Sequence, residues 1–203
     1  MSRPAVGNDV VDLAEPEAGL ALGKRGFVER VCDDDERTRV ASPRDLWTLF
    51  AAKEAAYKAL VKLGADPGFR HRAIHVAPDQ TSVRFGETRL SLSVTGGDDH
   101  VHAVAWSGAA IPTARLARTR TAPPDEGARA RALLCAILAD VVGCDPAELQ
   151  VVRDRVHGAW DGYGPPRVER AGLRVEADVS LSHDGRFVAA AALPAAPGPP
   201  PEV

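Results

Sequence analysis

The sequence predicts an α+β protein of two lobes, each a long helix packed on a small antiparallel sheet. One long amphipathic segment, "SPRDLWTLFAAKEAAYKALVKLG", is followed by short alternating segments. The same order returns later, with "ARARALLCAILADVVG" followed by the alternating "LRVEADVSLS". Between the two, Gly108 to Gly127 is rich in proline and arginine and has neither period. The chain has 203 residues, 45% hydrophobic and 26% charged, which is an ordinary globular composition. Only 5% is aromatic, so the core is expected to be aliphatic and rich in alanine.

In chain order, "AVGNDVVDL" reads as a strand entering a core through Val6, Val10, Val11 and Leu13. Asp9 and Asp12 are three apart, so on a strand they point to opposite faces. "FVERVCDDDER", Phe27 to Arg37, is mixed in character and ends in acid. In the long helix Ser42 can cap, Pro43 fits the first turn and Gly64 can stop it. "AIHVAP", "TSVRF", "TRLSLSV" and "HVHAVAWS" then read as successive strands with turns at "PDQ" and "TGGDD". In the second helix Leu133, Leu134, Ile137, Leu138 and Val141 keep the 3.6-residue period. A turn-rich "HGAWDGYGPPRV", the alternating segment, a turn at "HDG" and the apolar "RFVAAAAL" complete it. The expected division is a first lobe over 1–110, a linker over 111–127, a second lobe over 128–194 and a disordered Pro-rich tail over 195–203.

A net charge of −3 argues against a general nucleic-acid binder. No apolar run approaches the roughly 18 residues needed to span a bilayer. "MSRPAVGNDV" lacks the apolar core of a signal peptide, so a cytoplasmic location is expected. Cys32, Cys135 and Cys144 form no CxxC pair, which supports reduced thiols rather than a disulfide or thiolate zinc site. His71 and His75 are four apart, a ligand spacing on a helix, but they run into a segment that reads as extended.

The long helix carries a misplaced lysine. With Leu46 at zero and 100° per residue, Leu49, Phe50, Tyr57 and Leu60 fall within roughly 60° of it. Lys53 falls at about −20°, in the middle of this apolar stripe. A buried ammonium without a partner costs several kcal/mol, so an anion is expected beside it, either Asp9 or a phosphate ligand. Glu54 and Lys58, four apart, also fit an ordinary stabilising pair on a helix. Two carboxylates from separate elements, Asp9 and Glu54, with lysines beside them suit a hard divalent cation. Mg²⁺ takes one or two protein carboxylates together with water and phosphate oxygens. The chemistry suggested is phosphoryl or phosphodiester transfer.

"GNDVVDL", "ERVCDDDER" and "FAAKEAAYK", in that order, resemble the 4′-phosphopantetheinyl transferases. Their signatures are G-x-D before an acidic residue and (W/F)-x-x-K-E-x-x-x-K. "RALLCAILADVVGCDPAELQV", "YGPPRV" and "VSLSHDGRFVAAAAL" are similar to the N-terminal half of the larger two-lobed members. In those the S-H-S/D segment comes first, so this chain resembles a two-lobed member with its halves exchanged. The resemblance runs from about Val6 to Leu193, without linker and tail. The single-lobed acyl-carrier-protein synthases share the order of the first half but assemble as trimers. Two fused lobes imply a monomer.

The resemblance implies coenzyme A as substrate, Mg²⁺ as cofactor and an apo acyl or peptidyl carrier protein as partner. Asp9 and Glu54 would be the metal ligands. Lys53 and Lys58 would stabilise phosphates, and Lys58 would assist departure of adenosine 3′,5′-bisphosphate. Ser182, His183 and Arg186, with Arg131, would hold the 3′-phosphate side of the coenzyme. Glu36 is the candidate base or positioning group for the incoming serine, although "DDDE" also fits a solvated turn. Asp12 is expected to be a bystander. Three departures stand out: Val11 where many members have a second acid, Gly164-Pro165-Pro166 where the family has Gly-Lys-Pro, and Phe50 where tryptophan is common. Arg115, Arg118 and Arg120 in the linker could steer an acidic carrier or simply solubilise a loop. The same residues admit two other readings, a non-catalytic coenzyme- or carrier-binding relative and a metal-dependent phosphohydrolase.

Overall fold

The first strand, β1 (Val6–Asp12), lies so close to the long helix Pro43–Lys62 that a β-carbon at Gly7 would sit 1.9 Å from the Ala55 carbonyl oxygen. The computed structural model describes residues 4–24, 26–65, 68, 70–119, 125–156 and 162–194. Three short helices, α1 (Pro16–Gly19), α2 (Phe27–Val31) and α3 (Asp34–Arg37), lead from β1 to the long helix α4 (Pro43–Lys62). Ser42 and Asp45 cap α4 reciprocally, with Pro43 in its first turn. Gly64 follows its end at φ +80°, a conformation that suits glycine.

Four strands then run antiparallel: β2 (His75–Val76), β3 (Ser82–Phe85), β4 (Thr88–Gly97) and β5 (His100–Trp106). β5 returns beside β1, so the sheet order is β1-β5-β4-β3-β2. Val101, Ala103 and Ala105 of β5 pack with Ala51, Ala52, Ala55, Ala56 and Ala59 of α4 in one core. The alanines let the helix sit low on the sheet.

Residues 113–118, expected to be linker, are a strand, β6 (Thr113–Arg118). It is mostly exposed, and its partner rather than its own sequence makes it a strand. The second helix is α5 (Glu126–Val142), with Leu134, Ile137 and Leu138 buried. β7 (Leu149–Val152), β8 (Arg167–Arg170) and β9 (Leu173–Arg174) form a small sheet of their own. β10 (Ala177–Asp184) and β11 (Phe187–Pro194) form a hairpin that takes β6 as third strand, in the order β10-β11-β6. An α+β architecture follows, with a helix packed on an antiparallel sheet in each half. The expected tail over 195–203, Arg120 and the start of the turn-rich segment lie outside the described residues.

The two sheets meet face to face along an apolar seam. Val6 and Val104 pack on Ala191 and Leu193, and Val10 packs on Phe187 and Ala189. β11 is buried on both sides, because Ala190 and Ala192 join the core under α5. That explains its unbroken apolar run.

Candidate active site

β1 has β5 on one edge, and side chains bond to Val6, Asn8 and Asp12 on the other. The N–H groups of Val6, Asn8 and Asp12 donate to Asp178 Oδ2 (2.7 Å), Ser180 Oγ (2.9 Å) and Asp184 Oδ2 (2.7 Å), each acceptor 172 residues further along the chain. The carbonyls of Val6 and Asn8 accept from Lys62 Nζ (2.6 Å) and Lys58 Nζ (2.9 Å). Lys58 and Lys62 are one helical turn apart on α4, so both reach the same edge. Lys62 also holds Asp178 at 2.9 Å, which ties the lobes together. Unpaired backbone groups of an edge strand are costly when buried, and here every partner also fixes the strand between helix and second lobe.

Even-numbered residues of β1 face the seam and odd-numbered ones face α4, the alternation a strand imposes. Asp9 therefore points toward Lys58, whose Nζ lies 2.8 Å from Oδ1. The side chains are 15% and 30% exposed, so the pair borders solvent rather than lying in the core. Burial pushes the Asp9 carboxyl up to about 6 against the pull of Lys58, and repulsion from Glu54 and Asp184 adds to it. Glu54, on the same helix, is hydrogen-bonded by His71 Nε2. Burial raises the Glu54 carboxyl, but the His71 hydrogen bond, the His71 charge and Lys58 outweigh it and hold it below the usual range. Asp9, Glu54 and Lys58 thus form one electrostatic unit with an excess of negative charge.

Lys53 and Glu36 do not belong to that unit. Lys53 is fully buried, as its place in the stripe predicts, but its anion is Glu36 at 2.5 Å, neither Asp9 nor a phosphate. Its Nζ also donates to the Val31 carbonyl (2.7 Å) and the His71 carbonyl (3.1 Å), which uses all three donors. Glu36 accepts in addition from the N–H groups of Asp33 (2.9 Å) and Val76 (2.9 Å). A lysine and a carboxylate closed on each other inside the protein brace α3, α4 and β2. They are not placed to meet a phosphate or deprotonate a serine. The spacing along α4 showed only burial; the partner came from a segment that reads as a solvated turn.

The "SHDGR" turn lands against β1. Ser182 Oγ is buried and accepts from Asn8 Nδ2 (2.9 Å), which also lies 3.3 Å from His102 Nε2. His102 is buried, and burial, with His100 and Lys58 nearby, lowers its imidazole to about 4. His183 is half-exposed and pairs with Glu126 at 2.8 Å. Arg186 pairs with Asp12, at 2.6 and 2.7 Å. Asp12 is therefore a buried anchor of the seam rather than a bystander, and its carboxyl is held down to about 2; burial opposes this, and hydrogen bonds from Arg186 and Ala14 prevail. Arg131 is exposed on α5. Of the phosphate-side set, His183 and Arg131 face solvent, while Ser182 and Arg186 are engaged by the first lobe.

Val11 is buried in the α4 core and has no polar role. Arg115 pairs with Asp140 (2.6 Å) and Arg118 with Asp99 (3.3 Å), so both have local acidic partners. His75 is hydrogen-bonded to Asp33 at 2.6 Å and His71 to Glu54, so the two histidines do not share a site. Sequence reasoning did not single out Lys62, Asn8 or Asp184 as site residues, and it raised His71 only through its spacing from His75. Lys62 was findable as the next turn after Lys58; the others depend on contacts between distant segments.

Residues 5–108, half of the chain, match the family model described as 4′-phosphopantetheinyl transferase superfamily. The chain belongs to that superfamily. Among curated proteins no relative matches it. It is similar to the solved structure of holo-[acyl-carrier-protein] synthase from Neisseria meningitidis, at 24% identity and a TM-score of 0.42, over 52% of this chain and 98% of that one.

Proposed function

We propose that the protein transfers the 4′-phosphopantetheine group of coenzyme A to a serine of an apo acyl or peptidyl carrier protein, releasing adenosine 3′,5′-bisphosphate. The observation that carries this reading is the Asp9–Lys58–Glu54 unit between β1 and α4, at the border with solvent. Its donor set fits Mg²⁺: two hard carboxylates from separate elements, one kept up near 6 by burial and by its acidic neighbours. Among the described residues no cluster of three or more His, Cys, Asp or Glu is set to hold a metal. Asp9 and Glu54 would hold the cation. Bound there, it would supply Lewis-acid stabilisation of the charge that develops on the transferred phosphoryl group.

Lys58 donates to Asn8 O and Asp9 Oδ1, which leaves one of its three N–H groups for a pyrophosphate oxygen. Its charge beside the leaving bisphosphate lowers the cost of departure. Lys62 and the seam hold β1 against α4, so Asp9 and Lys58 keep their geometry without reorganisation. His183 and Arg131, exposed on the second lobe, are the donors available to the 3′-phosphate side. The reading takes the protein as a monomer in the cytoplasm. No described helix is long and apolar enough to cross a membrane.

The test incubates the protein with fluorescent coenzyme A, Mg²⁺ and a panel of apo carrier proteins. Labelled carrier is expected, with loss in D9A and on chelation of the metal. No label on any carrier, or full labelling by D9A, overturns the reading. Coenzyme binding without Mg²⁺-dependent transfer would instead identify a non-catalytic relative.

A further inference from the structure

His71 is held at three points, and each faces the helix that carries Glu54. Its carbonyl accepts from buried Lys53, the residue before Glu54, at 3.1 Å. Its ring stacks on Phe50, one turn earlier, with centroids 5.4 Å apart and planes at 26°. Its Nε2 is hydrogen-bonded to Glu54 Oε1. An ionised carboxylate only accepts, so Nε2 is the nitrogen that carries hydrogen. The Lys53–Glu36 pair, fully enclosed, thereby fixes the turn at His71–Ala73 onto α4.

We infer that His71 is a positioning residue: it engages one oxygen of Glu54 and so orients the other toward the cation shared with Asp9. The inference rests on the reading of Glu54 as a cation ligand. A glutamate side chain on a helix has three rotatable bonds and swings freely unless something holds its carboxylate. Lys58, one turn on, donates to Asp9 and Asn8 rather than to Glu54, whereas the His71 imidazole is hydrogen-bonded to the Glu54 carboxylate and so restrains it. The stacking on Phe50 orients the ring, and the Lys53 contact sets its depth. Hydrogen-bond partners of metal-ligating side chains typically matter 10–100-fold in metal affinity.

The test uses the amide side chains as donor probes. Gln places its nitrogen near the position of His Nε2, whereas Asn places it near Nδ1, out of reach of Glu54. Mn²⁺ is titrated into the full chain with saturating coenzyme A, and free Mn²⁺ is followed by electron paramagnetic resonance. H71N is expected to weaken Mn²⁺ binding about 10–100-fold. H71Q is expected to restore it to near the wild-type value, with both melting midpoints close to wild type. E54Q calibrates the experiment. If E54Q binds Mn²⁺ as wild type does, the ligand reading itself fails. If E54Q is weak and H71N binds normally, only the role of His71 fails. Equal weakness of H71N and H71Q also overturns it, because ring packing rather than the donor would then matter.

Discussion

Arg186 grips Asp12 with two nitrogens, Nε at 2.7 Å from one carboxylate oxygen and Nη2 at 2.6 Å from the other, although 174 residues separate them. The backbone N–H of Arg186 adds a third bond at 2.9 Å. Asp12 is fully buried, so removing its cation leaves an uncompensated charge in the seam. R186M is expected to lose about 3 kcal/mol of stability in urea unfolding. The ratio of its affinities for coenzyme A and the 3′-dephospho form should stay at the wild-type value. A collapse of that ratio would return Arg186 to the phosphate site.

Lys53 and Glu36 allow a sharper test of burial without catalysis. K53M alone strands a buried carboxylate and is expected to cost about 3–5 kcal/mol. E36Q/K53M removes both charges and is expected to recover most of that loss. Chemical denaturation of the two variants checks it, and a double variant no more stable than K53M would show that the pair is not the source of the cost.

Gly7 has no room for a side chain, with the Ala55 carbonyl oxygen 1.9 Å and the Ala59 nitrogen 2.9 Å from where a β-carbon would stand. Both are backbone atoms of α4, so neither can swing aside. G7A is expected to destabilise by about 3 kcal/mol, the upper end for overpacking. It should also lower transfer activity, because Asp9 moves with β1 relative to Lys58. Melting and labelling measured on the same variant test both.

Asp9 and His102 oppose each other in acid. In the metal-free protein burial raises Asp9 from 3.8 to about 6 and lowers His102 from 6.5 to about 4. Between these values the folded state binds more protons at Asp9 than the unfolded chain does, so Asp9 makes stability fall as pH rises. At His102 the folded state binds fewer, so stability from this group is present above 6.5 and is lost as pH falls toward 4. Each effect is about 3 kcal/mol, from two units at about 1.4 kcal/mol each. The wild type is expected to show a shallow stability profile from about pH 4 to 6. D9N should turn it into a rise with pH, and H102Q into a fall. Unchanged profiles in both variants would refute the opposition.

Much of the scaffold was legible before folding, because periodicity and capping are local. The two helices, the strand that opens the chain and the hairpin after "DVSLS" all follow from patterns a few residues wide. β6 was not legible: "TARLAR" has no alternation of its own and becomes a strand only because β11 offers an open edge. The same limit applies to the site. Spacing along α4 put Lys53 inside and Glu54 and Lys58 together, but it offered only Asp9 or a phosphate ligand as the partner of Lys53, and the partner is Glu36.

The sequence by itself determined that an acidic strand and a K-E-x-x-x-K helix occur in this order, and that one lysine of that helix is buried. It also determined that Asp9 and Asp12 take opposite faces, since a strand alternates. Only the tertiary structure decided what each face meets. Asp9 lies against Lys58 because Gly7 lets β1 settle onto α4, and Asp12 lies against Arg186 because the second lobe packs on the other side. These partners are set by contacts between segments up to 174 residues apart. Such contacts leave no period in the sequence, because burial, charge and shape select them only after both sheets have formed.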